Sequence, residues 1–320
     1  MTMTLLEAID AYITLKRSLG AVFRADTRVL RSFGRAFGDI PLGGMDRKAV
    51  HDFCRGKGPP TAWWERKDTA LRGFFAYLVS RGHLAACPLP EQRPRVTRSF
   101  QPHIYTPEEL RRLLDATAIL EDSCFPLQRK TFKTLLLLLY GAGLRPSEGV
   151  RLRCRDVDLR ERVLTVSDTK FFKSRLVPIG AVLATALAKY YQERQHLLPL
   201  PAKALSAFFA SHTGDAIRLG KLESVFAQLR KEAGLQSPPG ARWQPRLHDL
   251  RHTFAVNRLI AWYREGADVQ SCLPFLSTYL GHANISGTQA YLTMTPELLT
   301  EASKRFARYA VAKEGNNDND

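Results

Sequence analysis

The chain has 320 residues, of which 45% are hydrophobic, and its 47 Lys and Arg against 31 Asp and Glu give a formal net charge of +16 at pH 7. This length predicts two domains, each with a core of its own. A strongly basic balance favours a polyanionic partner. The longest apolar run, Leu135 to Tyr140, is too short to span a bilayer, and the start of the chain does not read as a signal peptide. We therefore expect a cytoplasmic protein without membrane attachment.

The five cysteines are scattered along the chain, and no two of them have the close spacing of a zinc site. We expect reduced thiols and no structural metal. A proline-rich segment with interleaved arginines lies between Pro88 and Pro107, where prolines block regular pairing and stiffen the backbone. These features predict a helical domain at 1–95, a linker at 96–105, a larger domain at 106–313 and a disordered tail at 314–320.

The first domain is predicted to be helical throughout. Apolar residues recur at helical spacing, and they predict helices at Leu5–Leu19, Phe23–Phe37, Arg47–Cys54 and Thr61–Val79. The second of these helices, numbered α2, carries four arginines on one face, which we call the α2 arginine row: Arg24, Arg28, Arg31 and Arg35. The fourth helix adds Arg66, Lys67 and Arg72. These seven cations are candidate phosphate-binding residues, although a charged face can also be merely solvated.

The second domain is predicted to be mostly helical with a small β-sheet. Thr106-Pro107-Glu108-Glu109 fits a helix N-terminus with a capping box, and helices are expected at Leu110–Thr117 and Thr131–Tyr140. Arg145 follows in a tight turn, before a helix that begins at Pro146. Val163–Val166 and Arg175–Val177 alternate like the two strands of a hairpin. From Ala181 onward the chain is expected to be mainly helix.

Six residues of the second domain suggest phosphate chemistry. A tyrosine that attacks a phosphodiester needs the charge on the non-bridging oxygens neutralised and the expelled oxygen protonated. Arginines, a lysine and histidines can supply both functions without a metal or another cofactor. The candidate catalytic residues, in chain order, are Arg145, Lys170, His248, Arg251, His282 and Tyr291.

Four segments carry a family resemblance. They are GLRPSE at 143–148, TKFFKSRLVP at 169–178, HDLRHTFA at 248–255, and LGH at 280–282 followed by TQAY at 288–291. Together they resemble, in order, the boxes of the tyrosine recombinases, the phage-integrase and Xer-like family. The resemblance runs from about residue 106 to residue 300. It implies a two-domain clamp around double-stranded DNA and a homotetramer on paired sites, with accessory proteins in some systems.

The resemblance also implies a role for each candidate. Arg145 and Arg251 would hold the scissile phosphate, and His282 would donate a further hydrogen bond to it. His248 would accept the phenolic proton, and Tyr291 would form a 3′-phosphotyrosine. The leaving 5′ oxygen would take its proton from a hairpin lysine, Lys170 in preference to Lys173. Glu148 and Asp156 would orient Arg145 and its turn.

Several functions remain compatible with the sequence. His248 and His252 have the i, i+4 spacing of zinc-hydrolase histidines, but Asp249 stands where such enzymes use a glutamate base. The segment between His252 and Leu280 is longer than in compact Xer-like members, which favours a mobile-element integrase over Xer-like chromosome or plasmid dimer resolution. A type IB topoisomerase would use the same chemistry, and a catalytically silent DNA-binding accessory protein would need only the basic surface. We expect a bacterial, nucleoid-associated recombinase.

Overall fold

The structure is a computed structural model that describes residues 3–21, 23–56, 58, 61–91, 93, 102–121, 125, 127–167, 174–198, 203–237, 243–282 and 284–304. The chain forms two compact units, Met1–Ser99 and Phe100–Asp320. Residues 96–101 of the predicted linker and the predicted tail at 314–320 lie outside the described residues. Residues 102–105 belong to the second unit, where Tyr105 is buried.

The first unit contains the four helices that the apolar periodicity predicts. They are α1 (Leu5–Ser18), α2 (Arg24–Phe37), α3 (Arg47–Arg55) and α4 (Ala62–Ser80). Thr4 caps α1 in a capping box with Glu7, and Thr61 caps α4. Such caps satisfy backbone donors that a helix leaves unpaired at its start. The core packs fully buried aromatic and aliphatic side chains of all four helices, including Phe33, Phe74 and Phe75.

The second unit is mostly helical in its described residues. Its helices are α5 (Pro107–Asp115), α6 (Gln128–Gly141), α7 (Pro146–Gly149), α8 (Ala181–Leu197), α9 (Leu219–Glu232), α10 (Asp249–Arg264), α11 (Val269–Leu280) and α12 (Ser286–Gln289). A 3₁₀ turn at Ala290–Thr293 follows α12 directly, and residues 296–304 are again helical. The predicted capping box at Thr106 and Glu109 is present, with Pro107 in the first turn.

A small antiparallel sheet lies beside these helices. Its strands are β1 (Val157–Asp158), β2 (Val163–Val166) and β3 (Arg175–Pro178), in the order β1-β2-β3. Val166 pairs with Arg175, so β2 and β3 form the predicted hairpin. The expectation of mainly helix after Ala181 is confirmed for the described residues, although the described chain between α8 and α9 is not helical. There, two isolated bridges, Arg153 to Ala207 and Ala210 to Ala216, hold extended chain.

Helix α10 lies between two apolar clusters of the second unit. Leu250 belongs to the larger cluster, which joins α5, α6, α8, α9 and the sheet. Ala255, Val256 and Leu259 belong to the smaller one, which also contains Tyr291. Side chains at the start of α10 are therefore held from both sides. No helix in the described part of the chain is both long and apolar enough to cross a membrane.

Candidate active site

The turn that carries Arg145 is held by a glycine. Gly143 has a φ of +59°, and a Cβ at this position would lie 2.5 Å from Cδ1 of Phe254. Only glycine combines this backbone conformation with so close a neighbour. Pro146 then begins α7, a single turn. Arg145 thus leaves the turn with its side chain 31% exposed, beside the buried Glu148.

Glu148 binds two arginines at once. It accepts hydrogen bonds from the backbone N of Arg145 (2.9 Å) and from Nη1 of Arg145 (2.8 Å). Nη1 and Nη2 of Arg175 donate to its two carboxylate oxygens at 3.1 and 2.9 Å. Burial raises the pKa of Glu148, but the hydrogen bonds and charge of Arg175, together with Arg145, outweigh burial and bring it to about 2. The carboxylate is therefore ionised at neutral pH.

Arg251 lies deeper, with 1% of its surface exposed. Its Nη1 donates to the carbonyl of Gly143 at 2.9 Å, and its Nη2 donates to the carbonyl of Leu280 at 2.6 Å. Burial, and then the nearby charge of Arg145, lower its pKa to about 10. The guanidinium stays charged at pH 7. These two acceptors are carbonyls, so they orient the group without cancelling its charge.

The end of α11 places His282. Gly281 has a φ of +69° and closes the helix in the left-handed conformation. The carbonyl of Gly281 accepts a hydrogen bond from Nη2 of Arg145 at 2.8 Å. His282 follows, and its Nδ1 lies 2.7 Å from Oγ1 of the fully buried Thr288. This contact fixes the orientation of the imidazole ring.

Tyr291 is buried, with 2% of its surface exposed. Its ring centroid lies 5.5 Å from that of His252 and 6.0 Å from that of His282. Burial raises the pKa of the phenol, while the charge of Arg251 and a hydrogen bond from Arg251 oppose that rise. The phenol is therefore protonated at neutral pH and needs a base before it can act as a nucleophile.

Three uncharged histidines belong to the site: His252 and His282 lie beside the phenol, and His248 lies beside His252. The ring centroids of His248 and His252 are 4.9 Å apart. Burial is the largest cause that lowers the pKa values of His248, His252 and His282, each to about 4, and nearby arginines lower them further. A neutral imidazole can accept a proton, which is what a general base requires. Among the described residues, no three His, Cys, Asp or Glu side chains form a group that could hold a metal ion.

The structure brings five of the six candidate catalytic residues into one cluster. Arg145, His248, Arg251, His282 and Tyr291 come from three of the four segments, and contacts among them and with His252 join them into one cluster. The sixth candidate, Lys170, lies outside the described residues, as does its competitor Lys173. The roles of all six stay predictions.

The seven candidate phosphate-binding cations of the first unit differ in their surroundings. All four members of the α2 arginine row are exposed. The other three contact residues of their own unit. Arg66 pairs with Asp26, Lys67 donates to the carbonyl of Phe53, and Arg72 pairs with Asp68 and also contacts the carbonyl of Pro90. Any phosphate bound by these three would share them with an existing partner.

Sequence reasoning missed three residues of the site. Arg175, Thr288 and His252 contact Glu148, His282 and Tyr291 respectively. The i, i+4 spacing of His248 and His252 was a usable signal, since it places both rings on one helix face. Asp156 was expected to support Arg145; it instead accepts a hydrogen bond from the backbone N of Arg153 at 2.9 Å.

Comparison with known proteins identifies the family. The model of the phage integrase family matches residues 104–297. A putative integrase/recombinase of Sinorhizobium fredii, y4rE, is 40% identical over 303 residues, which cover 93% of this chain and 94% of that protein. Tyrosine recombinase XerA of Thermococcus kodakarensis is 32% identical over 300 residues, with 94% of each covered. The chain belongs to the phage integrase family.

The fold agrees with this membership. The structure of the Tn1549 transposon integrase in complex with transposon right end DNA superposes with a TM-score of 0.71 at 17% identity, over 96% of this chain and 100% of that one. Membership confirms the predicted family and the mostly helical fold with a small sheet. The protein is thus a tyrosine recombinase, an enzyme that cleaves and rejoins DNA strands.

Proposed function

We propose that Tyr291 attacks a DNA phosphodiester and forms a 3′-phosphotyrosine, with Arg145 and Arg251 holding the phosphate. The observation that carries this proposal is the convergence of two guanidinium groups and two neutral histidines, His252 and His282, on one buried phenol, with His248 against His252. Arginine stays charged in a buried site and can make two parallel hydrogen bonds to a phosphate. The developing charge on the non-bridging oxygens is neutralised there.

The protonation states and hydrogen-bond partners of the remaining groups indicate how protons would be transferred. The phenol must lose its proton, and the neutral His248 is the acceptor that the family resemblance assigns. His282 would donate to the phosphate through Nε2, since its Nδ1 is engaged with Thr288. The role of Lys170 as the acid for the leaving 5′ oxygen rests on its place in the segment TKFFKSRLVP. The phosphotyrosine keeps the energy of the broken bond, so rejoining needs no ATP.

The substrate proposed for this site is duplex DNA. An open pocket of about 570 Å³ lies beside Arg145 and His248 and also contains Trp243, Arg230 and Arg246. Arg230 and Arg246, two further cations next to the reacting groups, suit a phosphate backbone. The α2 arginine row supplies a second basic surface, on the first unit. We propose that residues 1–95 and 106–313 grip the duplex as two domains joined by the linker at 96–105.

The biological role proposed is the integration, excision or transposition of a mobile element. Likeness to an integrase/recombinase of Sinorhizobium fredii along nearly the whole chain supports this role. The likeness to an Xer recombinase supports dimer resolution as the second candidate. Either reaction joins two duplexes, for which we propose a homotetramer on paired sites, aided in some systems by accessory proteins. The working place would be the bacterial nucleoid in the cytoplasm.

A covalent trapping experiment tests the chemistry. A nicked suicide substrate releases a short 5′ strand and prevents rejoining, so the protein should become attached to DNA in the presence of EDTA. The adduct should resist alkali, as a phosphotyrosine ester does and an acyl phosphate does not. Tyr291→Phe should keep duplex binding and lose the adduct. Arg145→Ala and Arg251→Ala should lose it as well, because the transition-state charge would be left without neutralisation.

Two results of the trapping experiment would contradict the proposed mechanism. They are an adduct formed by Tyr291→Phe and an adduct abolished by EDTA. Recombinant products from paired sites would separate a recombinase from a type IB topoisomerase, which only relaxes supercoils. Sequencing the DNA that flanks the gene would decide between a mobile element with inverted repeats and a dimer-resolution system.

A sulfur-substituted substrate tests the leaving-group acid. Lys170→Ala should stop cleavage of ordinary DNA, because the departing 5′ oxygen would receive no proton. A substrate with sulfur at the bridging 5′ position should restore cleavage, since a thiolate leaves unprotonated. Lys173→Ala is the matched control in the same segment. Restoration in Lys173→Ala but not in Lys170→Ala would transfer the role to Lys173.

A further inference from the structure

Arg175 occupies a position that the proposed chemistry does not use. It begins β3, directly after the segment that contains Lys170, and 9% of its side chain is exposed. Its Nε donates to the carbonyl of Tyr279 at 2.8 Å. Its two terminal nitrogens donate to the two oxygens of Glu148. All three nitrogens of the guanidinium are thus engaged with protein groups, so Arg175 is not itself a phosphate ligand in this arrangement.

The charge of Glu148, which lies between the two arginines, determines how strongly Arg145 can attract a phosphate. Glu148 is buried, so its charge acts strongly on any neighbour. Arg145 contacts it at 2.8 Å, and with Glu148 as its one charged partner the pair would be close to neutral. A neutral pair attracts a phosphate weakly. With Arg175 also bound to Glu148, two positive charges share one negative charge, and the cluster keeps a net charge of +1.

We propose that Arg175 is a positioning residue that neutralises Glu148 and thereby leaves the positive charge of Arg145 available to the scissile phosphate. This inference rests on the proposed function, in which Arg145 binds that phosphate. The geometry favours a dedicated role, because the two parallel hydrogen bonds match the planar fork of an arginine. The residues around Arg175 also leave a defined space for its side chain. A Cβ on Gly281 would lie 2.8 Å from Nη1 of Arg175, so the glycine that precedes His282 leaves room for it.

Single-turnover formation of the covalent adduct tests the proposal. Arg175→Met keeps much of the side-chain length and removes the charge. We expect it to lower the rate of adduct formation about 10²-fold, because Glu148 would then cancel the charge of Arg145, and loss of one transition-state donor has an effect of this size. The double variant Arg175→Met/Glu148→Gln removes one charge of each sign and returns the cluster to +1. It should react at least about tenfold faster than Arg175→Met. If Arg175 only packed the site, the double variant would be no faster than the single one.

A neutral substrate gives a second measurement. A methylphosphonate at the scissile position lacks the charge that Arg145 is proposed to neutralise. The deficit of Arg175→Met relative to the wild type should therefore shrink on this substrate. If the bridging 5′-sulfur substrate restores Arg175→Met instead, Arg175 acts through the lysine segment before β3, and the proposal is wrong.

Controls keep folding and function apart. Arg111→Met is the matched control, because Arg111 also pairs with two carboxylates, Glu108 and Asp115, but is 63% exposed. It should react at the wild-type rate.

Arg175→Lys keeps the charge, and its rate should stay within about tenfold of the wild-type rate. Its melting temperature and duplex binding show whether the fold is intact. If the wild-type chain forms no Tyr291-dependent adduct, the proposed function is contradicted. If the wild-type chain forms the adduct and Arg175→Met forms it equally fast, only this inference is contradicted.

Discussion

Replacing Gly143 by alanine perturbs the tightest backbone contact of the site. The φ of Gly143 is +59°, and the added Cβ would lie 2.5 Å from Cδ1 of Phe254, with two further ring atoms at 3.0 Å. Phe254 cannot easily move aside, because its ring stacks on Tyr279 at a centroid distance of 5.5 Å. Gly266 is the matched control. Its φ is +76°, but nothing lies within 4 Å of a Cβ built there.

The two variants separate backbone strain from steric overlap. Holding an alanine in the left-handed conformation costs about 1–2 kcal/mol at either position. Overpacking against a held ring adds about 1–3 kcal/mol at Gly143 alone. The free energy of unfolding should therefore fall by about 2–5 kcal/mol in Gly143→Ala and by about 1–2 kcal/mol in Gly266→Ala. For a unit of this size, each kcal/mol lowers the melting temperature by about 2–4 °C.

Thermal and urea unfolding of the full chain measure the difference. Equal destabilisation by Gly143→Ala and Gly266→Ala would refute the steric argument, because only the φ penalty is common to both. The overlap should also affect catalysis. The carbonyl of Gly143 accepts a hydrogen bond from Arg251 at 2.9 Å, so a displaced turn should slow adduct formation at temperatures where Gly143→Ala is still folded.

Three further predictions concern protons, orientation and salt. The pKa values of the three site histidines are lowered from 6.5 to about 4. Between about pH 6.5 and about pH 4 the unfolded chain therefore binds more protons than the folded chain does. Urea titrations should show the free energy of unfolding decreasing as the pH falls across that window. Thr288→Val removes the hydroxyl that contacts Nδ1 of His282 and should slow cleavage by up to about 10²-fold without changing duplex binding. Thr288→Ser keeps the hydroxyl and should cleave at the wild-type rate. Equal cleavage rates in the two variants would exclude an orienting role for Thr288. Duplex affinity should fall by about 10³–10⁵ between about 50 and 200 mM salt, and charge removal in the α2 arginine row should flatten that dependence; an unchanged slope would mean that the row is only solvated.

Local patterns predicted much of the helical framework. The helices of the first unit and strand β2 lie within a residue or two of their expected bounds, because apolar period and capping residues act over one or two turns. Between α8 and α9, within a region correctly expected to be mainly helix, the described chain is not helical. Phe208 and Phe209 are both buried there, at 1% and 0% exposure. Adjacent buried aromatics also occur inside a helix, as Phe74 and Phe75 do in α4, so this apolar pair does not distinguish helix from extended chain.

The candidate catalytic residues were recognisable from their order in the chain, whereas the contacts that hold them were not. Arg175 and Glu148 are 27 residues apart, and Tyr105 donates its backbone N–H to Thr253 across 148 positions. Nothing in the local pattern of either residue selects its partner, because the pairing depends on how α7, α10, α11 and β3 pack together. Sequence therefore indicates which groups can react, and tertiary packing decides which charges remain available.

The distribution of partners explains how the free protein keeps a cationic site. Arg251 is held by two carbonyls, and Arg145 by one carbonyl and a carboxylate that it shares with Arg175. Carbonyl dipoles orient a guanidinium and offset part of its desolvation without cancelling its charge. Carboxylate partners on both guanidinium groups would occupy the nitrogens that a phosphate must bind. The charge of Arg145 lowers the pKa of Arg251, and such repulsion between like charges is the expected consequence of a site preorganised for an anion.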